Sequence, residues 1–583
     1  MERTLLGISA SPGIAIAPVR LLIWEVPVVP HAIIPDEAIE QEIARFHAAR
    51  AEARKRLDQV RRRVEQRAGP TEAAIFEVQQ LLLDDPVMLE EVESLIRHNV
   101  GSEQAFHQHM ADWRQRYARE ADAYLRERVG DILDLEIRVL SILLGLEDHD
   151  PLDIPPDQPV VLVSHDLTPS LTVQLDRTSI TAIATDVGTR TSHVAILARS
   201  LGIPAVVGLR DATARLKGGE LVILDGAAGS LNVNPTMHEL ALYKERQRLD
   251  VERSAELAEL ADVEAVSADG VRVTLLANVD VLEEAERASQ SGAQGVGLMR
   301  TEFLVLGRAG MPDEEEQYQA YRRVVEAFAG QPVIIRTFDI GGDKLPVGGF
   351  PREPNPFLGW RAIRMCLDQP ELFKVQLRAL LRAGAHGHVK ILLPLVVSPD
   401  EVRDTASLIR ECAAELEAEG VSHRADVPLG VMIETPAAAV GADQMVPYVS
   451  FFSIGTNDLV QYTLAVDRGN VNLASRFTPL HPSVLRLIRQ VVEVGRSHGI
   501  EVGVCGEMAS HPLTAYALIG LGVRELSVAP RAVPSIKQLV RSICVSDAED
   551  VAREVVEVGT AAEAEALLRV RLVDAVGEAA LVE

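Results

Sequence analysis

The chain has 583 residues, of which 25% are charged and 47% hydrophobic, and its formal net charge is −27. This length exceeds what one hydrophobic core normally supports, so we expect about three or four domains. The acidic balance argues against nonspecific binding to nucleic acid, because phosphate backbones select basic surfaces.

The sequence was next searched for a signal peptide, a membrane span and paired cysteines, and it shows none of them. The opening "MERTLLGISASPGIAIAP" has no basic region followed by a long apolar core, so it does not look like a signal peptide. No stretch reaches about 18 apolar residues without charge, so we expect no membrane span. The four scattered cysteines contain no CxxC pair, which is typical of a reducing compartment. We therefore expect a cytoplasmic protein.

The N-terminal third combines an apolar start with a long helical segment. Residues 1–20 are punctuated by Gly and Pro, which indicates strands and loops. From Pro35 apolar residues recur at spacings of three and four or their sums, which predicts one face of a long amphipathic helix: Ile39, Ile43, Phe46, Ala53, Leu57, Val60 and Val64. With breaks at "RAGPT" and "DDPV", the pattern predicts a bundle of about four helices up to residue 148.

From residue 158 the pattern becomes α/β. Four short apolar segments predict buried strands: "QPVVLVSHDL", "SITAIATDVG", "IPAVVG" and "ELVILDG". We expect the opening segment to pack with them, so that the helical bundle is an insertion. The predicted domains are an α/β domain formed by 1–34 and 149–235, the bundle at 35–148, a linker helix at 236–262, and a C-terminal domain at 263–583.

The C-terminal domain repeats an apolar strand followed by helical sequence. The eight strand candidates are 271–279, 295–303, 332–339, 389–396, 428–435, 451–458, 501–508 and 525–530. Eight such units predict a TIM (β/α)₈ barrel, with an elaborated loop between the third and fourth strands. The predicted fold class is therefore a multidomain α/β protein.

Polar residues cluster at the ends of the predicted barrel strands, where barrel enzymes place their sites. They are Arg300, Glu302, Arg336, Asp339, Glu434, Asn457, Asp458, Cys505 and Glu507. Arg300, Arg336 and Arg468 could clamp a polyanionic ligand. Glu434 and Asp458 are oxygen donors of the kind that Mg²⁺ uses, and Asn457 could donate to a phosphate. This set of residue types points to phosphoryl transfer.

Position in the sequence does not by itself decide the roles of two further residues. Cys505, in "VCGEM", is either a small buried hydrophobic residue or a thiol acid, base or nucleophile at the barrel mouth. His193, in "GTRTSHVAILARS", stands between a polar loop and an apolar helix start, with no second His or Cys nearby for a metal site. A lone histidine in that context is commonly structural.

Long motifs resemble the Enzyme I family, the phosphoenolpyruvate-protein phosphotransferases of the bacterial sugar phosphotransferase system. They are "GISASPGIAIAP", "DLTPS", "GTRTSHVAILARSLGIPAVVG", "GVGLMRTEFL", "RTFDIGGDK", "NPFLGWRAIR", "ETPAAA", "FFSIGTNDLVQYTLAVDRGN" and "CGEMA". The resemblance covers nearly the whole chain. Local departures include Leu171, which stands where an acidic residue is often found.

The resemblance implies a two-step reaction and a role for each candidate residue. Phosphoenolpyruvate would bind in the barrel with Mg²⁺, and His193 of a swivelling α/β domain would accept its phosphoryl group. The residues that the resemblance implies for binding phosphoenolpyruvate are Arg300, Arg336, Asn457, Asp458 and Arg468. Glu434 and Asp458 would hold the metal, and Cys505 would give a proton to the pyruvate enolate. Thr168 and Thr191 are candidate partners of the histidine or its phosphate.

The resemblance also implies partners. The phosphoryl group would pass to HPr, a small histidine-containing carrier protein that docks on the helical bundle. Candidate docking residues are Glu72, Glu77, Asp84 and Asp85. The resemblance further implies a homodimer formed through the barrel domain. A swivel about the 150–157 and 233–263 segments would bring His193 to the barrel and take it away again.

Two alternatives compete with this interpretation. An ATP-dependent enzyme such as pyruvate phosphate dikinase or phosphoenolpyruvate synthase would need a nucleotide-binding domain ahead of the histidine. We see a helical bundle there and no Gly-rich phosphate loop. A non-catalytic homologue that only binds ligand or carrier predicts loss of the histidine, an arginine or a metal carboxylate, and all of these are present.

Overall fold

We describe the fold from a computed structural model of the chain. It describes residues 3–22, 24–68, 70–119, 123–146, 158–172, 175, 179–188, 194–195, 198, 202–280, 282–305, 310–341, 355–468 and 470–577. The chain divides into two compact units, Met1–Val251 and Glu252–Val582.

The first unit contains a mixed sheet of eight strands within the described residues. They are β1 (Thr4–Leu6), β2 (Ile8–Ser11), β3 (Ile14–Leu22), β4 (Val160–Ser164), β5 (Ile180–Thr185), β6 (Ala205–Val207), β7 (Leu221–Asp225) and β8 (Ser230–Val233). Their order across the sheet is β1-β8-β7-β3-β4-β5-β6-β2. β3 pairs in parallel with β4, although well over a hundred residues separate them in sequence. The helical segment therefore leaves this sheet after β3 and returns to it at β4.

The segment between β3 and β4 is helical. Its helices are α1 (Ile39–Ala68), α2 (Pro70–Leu83), α3 (Pro86–Arg97), α4 (Ser102–Arg119) and α5 (Ala123–Leu143). The breaks fall at the predicted motifs, since Pro70 and Pro86 each occupy the first helical position, where a missing N–H costs nothing. Six of the seven residues predicted to form the apolar face of α1 are buried, and Ile39 is half-buried.

Short helices and one long helix complete the N-terminal part. They are α6 (Pro169–Thr172), α7 (Ala212–Arg215) and α8 (Met237–Ala258). Leu171 packs in the core on one face of the sheet, where it is 1% exposed. An apolar residue fits that position because an unpaired carboxylate there would have to leave water. α8 covers most of the predicted linker 236–262, and the domain boundaries themselves stay predictions.

The second unit is built on a closed barrel. Its strands are β9 (Thr274–Val279), β10 (Val296–Met299), β11 (Pro332–Arg336), β12 (His388–Leu393), β13 (Leu429–Ile433), β14 (Phe451–Ile454), β15 (Glu501–Val504) and β16 (Glu525–Val528). Every neighbouring pair is parallel, and β16 closes the barrel against β9. The predicted eight strands and the α/β barrel fold are confirmed.

Helices surround the barrel and shield its apolar outer surface. They are α9 (Leu282–Gln290), α10 (Glu314–Ala327), α11 (Ile363–Asp368), α12 (Pro370–Ala383), α13 (Pro399–Glu419), α14 (Pro436–Val440), α15 (Ala442–Met445), α16 (Thr456–Leu464), α17 (Pro482–His498), α18 (Pro512–Gly520), α19 (Val533–Ser542), α20 (Val545–Val555) and α21 (Ala561–Val576). Inside the barrel a small cluster fills the centre: Leu298, Ile334, Leu392, Met432, Phe451 and Cys505.

None of the helices in the described part of the chain combines the length and the apolar character needed to cross a membrane.

Candidate active site

The residue predicted to accept the phosphoryl group, His193, lies outside the described residues, as does Thr191. The described residues that follow it, Val194, Ala195 and Ala198, are buried in the core on one face of the N-terminal sheet. The other predicted partner, Thr168, is half-buried just before α6. Its carbonyl oxygen accepts hydrogen bonds from the N–H groups of Leu171 and Thr172, both at 3.0 Å.

The predicted barrel residues all lie at one end of the barrel. Arg300 directly follows β10, Arg336 ends β11, Glu434 follows β13 and Cys505 follows β15. Asn457 and Asp458 lie in the first turn of α16, and Arg468 lies in the loop after that helix. Because the carboxyl ends of all eight parallel strands meet at the same rim, the sequence pattern is sufficient to bring these side chains together.

Arg336 is a buried cation at the end of β11. Its Nη2 donates to Glu302 Oε1 at 2.6 Å, and its Nη1 lies 3.3 Å from Asp339 Oδ2. Glu302 Oε1 also accepts from the backbone N–H of Asp339 at 3.1 Å, which ties the second barrel strand to the third. Burial disfavours the charged guanidinium, but the charges of Glu302 and Asp339 outweigh it and raise the pKa of Arg336.

Arg361 is a second buried arginine, which lies in the motif "NPFLGWRAIR" and was not predicted to belong to the site. Its Nε and Nη2 donate to Asp339 at 2.6–3.0 Å, and its Nη2 lies 3.9 Å from Asp458 Oδ2. Its Nη1 is buried without a hydrogen-bond partner in the described part of the chain. Arg336 Nε is also buried without a partner there, so at least two guanidinium nitrogens of the site can still bind an acceptor.

The other two arginines are more exposed. Arg300 Nη1 donates to both carboxylate oxygens of Asp280, at 2.7 and 2.6 Å. Asp280 was not predicted, although its place directly after β9 is the same signal that identified the others. Arg468 Nη2 lies 3.6 Å from Asp458 Oδ1, and its backbone N–H donates to Gln461 Oε1 at 3.1 Å. Both side chains are about one-third exposed, so an anion can reach them.

Glu434 and Asp458 are both buried, at 3% and 5% exposure. Glu434 Oε1 accepts from the backbone N–H of Leu395 at 2.6 Å. Leu395 has a φ of 55°, a backbone conformation that a leucine rarely adopts and that is commonly found near functional sites. Burial raises the pKa of Glu434 to about 8, and the negative charges of Asp458 and Asp339 add to the effect.

These two carboxylates fit a divalent cation. Asp458 Oδ1 is buried and accepts no hydrogen bond from the described residues, so one carboxylate oxygen is available as a ligand. The positive charge of a cation beside both groups would also oppose the burial and the repulsion that raise the pKa of Glu434. No group of three or more His, Cys, Asp or Glu side chains with metal-binding geometry occurs in the described residues. A two-carboxylate site is the kind that Mg²⁺ completes with substrate oxygens and water.

Asn457 and Cys505 lie on neighbouring loops. Asn457 and Glu507 form reciprocal hydrogen bonds, with Asn457 Nδ2 donating at 3.2 Å and Oδ1 accepting from the Glu507 N–H at 3.0 Å. Cys505 is 2% exposed, and its N–H donates to the Ile454 carbonyl at 3.1 Å. Burial raises the pKa of Cys505 to about 11, although a hydrogen bond from Ser453 opposes the effect. The thiol therefore stays protonated at neutral pH.

The acidic residues predicted to dock a carrier have partners of their own. Asp84 pairs with Arg54, and Glu77 Oε1 lies 3.8 Å from Arg61. Asp85 caps α3 by accepting from the N–H groups of Val87 and Met88. The side chain of Glu72 lies outside the described residues. Three of the four thus form contacts within the bundle, and their role in docking stays a prediction.

Three models of the PEP-utilising enzyme families match the chain. The model described as N-terminal matches residues 6–128, the mobile domain matches 156–229 and the PEP-binding domain matches 254–545. The last of these ranges contains every barrel residue discussed above.

Curated relatives match over almost the full length. A phosphoenolpyruvate-protein phosphotransferase from Bacillus sp. (strain S) is 41% identical over 96% of this chain and 97% of its own. The protein of that name from Haemophilus influenzae is also 41% identical, over 96% of this chain and 98% of its own. A solution structure of an Enzyme I protein is 36% identical and covers 42% of this chain and 98% of its own, with a TM-score of 0.38. The chain belongs to the family of phosphoenolpyruvate-protein phosphotransferases, Enzyme I.

Proposed function

We propose that this chain transfers the phosphoryl group of phosphoenolpyruvate to its own His193 and then to the carrier protein HPr. Family membership supports the class of reaction. The observation that carries the proposal is that arginines converge on buried carboxylates at one rim of the barrel. Arg361 and Arg468 both approach Asp458. Such a site combines anion binding with a place for a divalent cation, which phosphoryl transfer requires.

The arginines serve to bind phosphoenolpyruvate and to neutralise its charge. Arg336 is fixed by Glu302 and Asp339, so its guanidinium is oriented before the ligand arrives. Arg300 and Arg468 are accessible and complete a clamp around the phosphate and carboxylate groups. Asn457 offers an amide N–H to the same ligand. Because these groups are held in place beforehand, little reorganisation is needed in the transition state.

Glu434 and Asp458 are the residues that would hold Mg²⁺. The ion would supply charge neutralisation for the bound phosphate and enolate oxygens. The open Oδ1 of Asp458 and the raised pKa of Glu434 fit this role, because a bound cation would use the free oxygen and would favour the charged form of Glu434.

Two further residues take part in the chemical step, one as the nucleophile and one as the proton donor. A ring nitrogen of neutral His193 attacks the phosphorus, a phosphorus–nitrogen bond forms, and the bond from phosphorus to the enol oxygen breaks. The electron pair leaves with the pyruvate enolate, and Cys505 donates a proton to the enolate carbon. A histidine with an ordinary pKa of about 6.5 is largely neutral and nucleophilic at pH 7. The raised pKa of Cys505 keeps its proton available for the second half of the step.

We also propose how the chain assembles and which partner it binds. HPr docks on the bundle at 35–148, the barrel domain at 263–583 forms a homodimer, and the α/β domain swivels about the 150–157 and 233–263 segments. All four cysteines are free thiols, which fits a cytoplasmic protein.

The test is transfer of labelled phosphate from phosphoenolpyruvate to the purified chain, with Mg²⁺ and without nucleotide. His193→Ala and an EDTA-treated sample are the controls. We expect acid-labile, base-stable label on the wild type only. Label that depends on added ATP or AMP would indicate a dikinase-like enzyme. No label under any nucleotide condition would leave a homologue that only binds its ligands.

A further inference from the structure

One buried amide side chain connects the two strand ends that carry most of the barrel site. Gln376 lies on α12, outside every motif that identified the site, and is 0% exposed. Its Oε1 accepts from the backbone N–H of Phe338 at 3.0 Å. Its Nε2 lies 3.4 Å from Thr301 Oγ1 and donates to Tyr321 Oη at 3.0 Å. A glutamine on a helix packed against the barrel therefore reaches both neighbouring strands.

Its two partners on the barrel stand beside the site residues. Thr301 lies between Arg300 and Glu302, and its hydroxyl donates to the backbone carbonyl of Arg336 at 3.1 Å. Phe338 directly precedes Asp339, the carboxylate that holds Arg361. Gln376 thus joins the loop after the second barrel strand to the loop after the third.

The same chain of hydrogen bonds continues away from the site. Tyr321 Oη donates to Gln317 Oε1 at 3.0 Å, and Gln317 Nε2 donates to the carbonyl of Pro312 at 3.0 Å. Gln376, Tyr321 and Gln317 are all buried. In such a fully bonded buried network each group has one orientation, because any alternative leaves a polar atom unpaired.

We propose that Gln376 is a positioning residue for phosphoenolpyruvate binding, which it serves by fixing the loops of Arg300 and Arg336 relative to each other. The inference rests on the proposed function. Both arginines bind one ligand, so a small shift of one loop against the other weakens the clamp as a whole. Gln376 itself contacts no reacting atom. Only an amide supplies the acceptor for Phe338 together with donors for Thr301 and Tyr321.

The experiment compares Gln376→Met with Tyr321→Phe. Methionine keeps the volume but removes all three hydrogen bonds, whereas phenylalanine removes the outer end of the network and leaves the bonds to both loops. We expect Gln376→Met to raise the KM for phosphoenolpyruvate by about tenfold to a hundredfold. Tyr321→Phe should lower the melting temperature without changing that KM. Phosphorylation of either variant by phosphorylated HPr does not use the barrel site and should match the wild type.

Thr301→Val provides a second test if Gln376→Met fails to fold, because it removes the hydroxyl between Gln376 and the Arg336 carbonyl. It should raise the same KM. Where Gln376→Met does fold, the double variant should add little to the KM change of Gln376→Met alone. An unchanged KM in Thr301→Val, or equal KM changes in Gln376→Met and Tyr321→Phe, would overturn the inference. A wild-type chain that takes no phosphate from phosphoenolpyruvate would instead overturn the proposed function.

Discussion

Arg361 holds Asp339 with two of its guanidinium nitrogens, at 2.6–3.0 Å, and both side chains are only 2% exposed. Asp339 in turn lies 3.3 Å from Arg336, so one carboxylate orients two buried arginines. A carboxylate placed this deep must be paired, because removing an unpaired charge from water costs several kcal/mol. The pair therefore determines both the shape and the charge of the site.

Replacing Arg361 by methionine should destabilise the barrel strongly. Asp339 would lose its bidentate partner while remaining buried, and breaking such a pair costs about 3–5 kcal/mol. A matched control is Arg322→Met, because Arg322 pairs with Glu326 on the surface of α10, where solvent screens the ion pair and it contributes little to stability. Calorimetric unfolding measures both changes. Similar losses in the two variants would contradict the role assigned to Arg361.

Gly341→Ala should disturb the same pair through the backbone. Gly341 has a φ of 137°, and an added Cβ would lie 2.3 Å from the Cβ of Arg361. We expect weaker binding of phosphoenolpyruvate, measured by titration calorimetry, and a loss of stability. Gly330→Ala is the control, because Gly330 has a φ of 82° but open space around it, so that only a backbone cost of about 1–2 kcal/mol applies. Unchanged binding in Gly341→Ala would show that the close approach does not position Arg361.

The eight barrel strands were predictable because each is a short apolar run and helical sequence separates most of them. The face of α1 was predictable for a similar reason, since Phe46, Leu57 and Val64 follow helical spacing and are buried. Both predictions rest on local sequence patterns and do not require knowing which distant parts of the chain come into contact.

Arg361 and Gln376 could not be assigned from the sequence. Arg361 and Asp339 are separated by 22 positions in sequence, and Gly341 leaves room for the close approach of Arg361. Gln376 lies on a helix whose pattern predicts burial but not which strand ends the side chain touches. Such contacts depend on tertiary packing, and residue spacing does not report it. Asp280 could have been found, since it directly follows a strand.

The thiol of Cys505 should react slowly with iodoacetamide at pH 8. The thiolate is the reactive form, and a pKa of about 11 keeps its fraction small. The alkylation rate, followed by mass spectrometry of the Cys505 peptide, should still be rising above pH 9. Because the folded pKa is raised, the stability that this thiol contributes is present below the unfolded pKa of about 8.5 and is lost as the pH rises towards 11. A rate that levels off near pH 8.5 would contradict the burial effect.

Divalent cations should stabilise the wild-type barrel through Glu434 and Asp458. We expect Mg²⁺ or Mn²⁺ to raise the melting temperature, because a ligand that binds only the folded state stabilises it. Asp458→Asn should abolish this increase. Asp426→Asn should keep it, since Asp426 is an exposed carboxylate paired with Arg424. An equal increase in Asp458→Asn would place the cation elsewhere.

The most direct test of the central claim is to locate the phosphoryl group. The purified chain is mixed with phosphoenolpyruvate and Mg²⁺, without nucleotide, and the modified residue is identified by mass spectrometry at neutral to alkaline pH. We predict one phosphoryl group per chain, on His193, and its loss when HPr is added. A chain that stays unmodified, or that carries the group on another residue, would contradict the account.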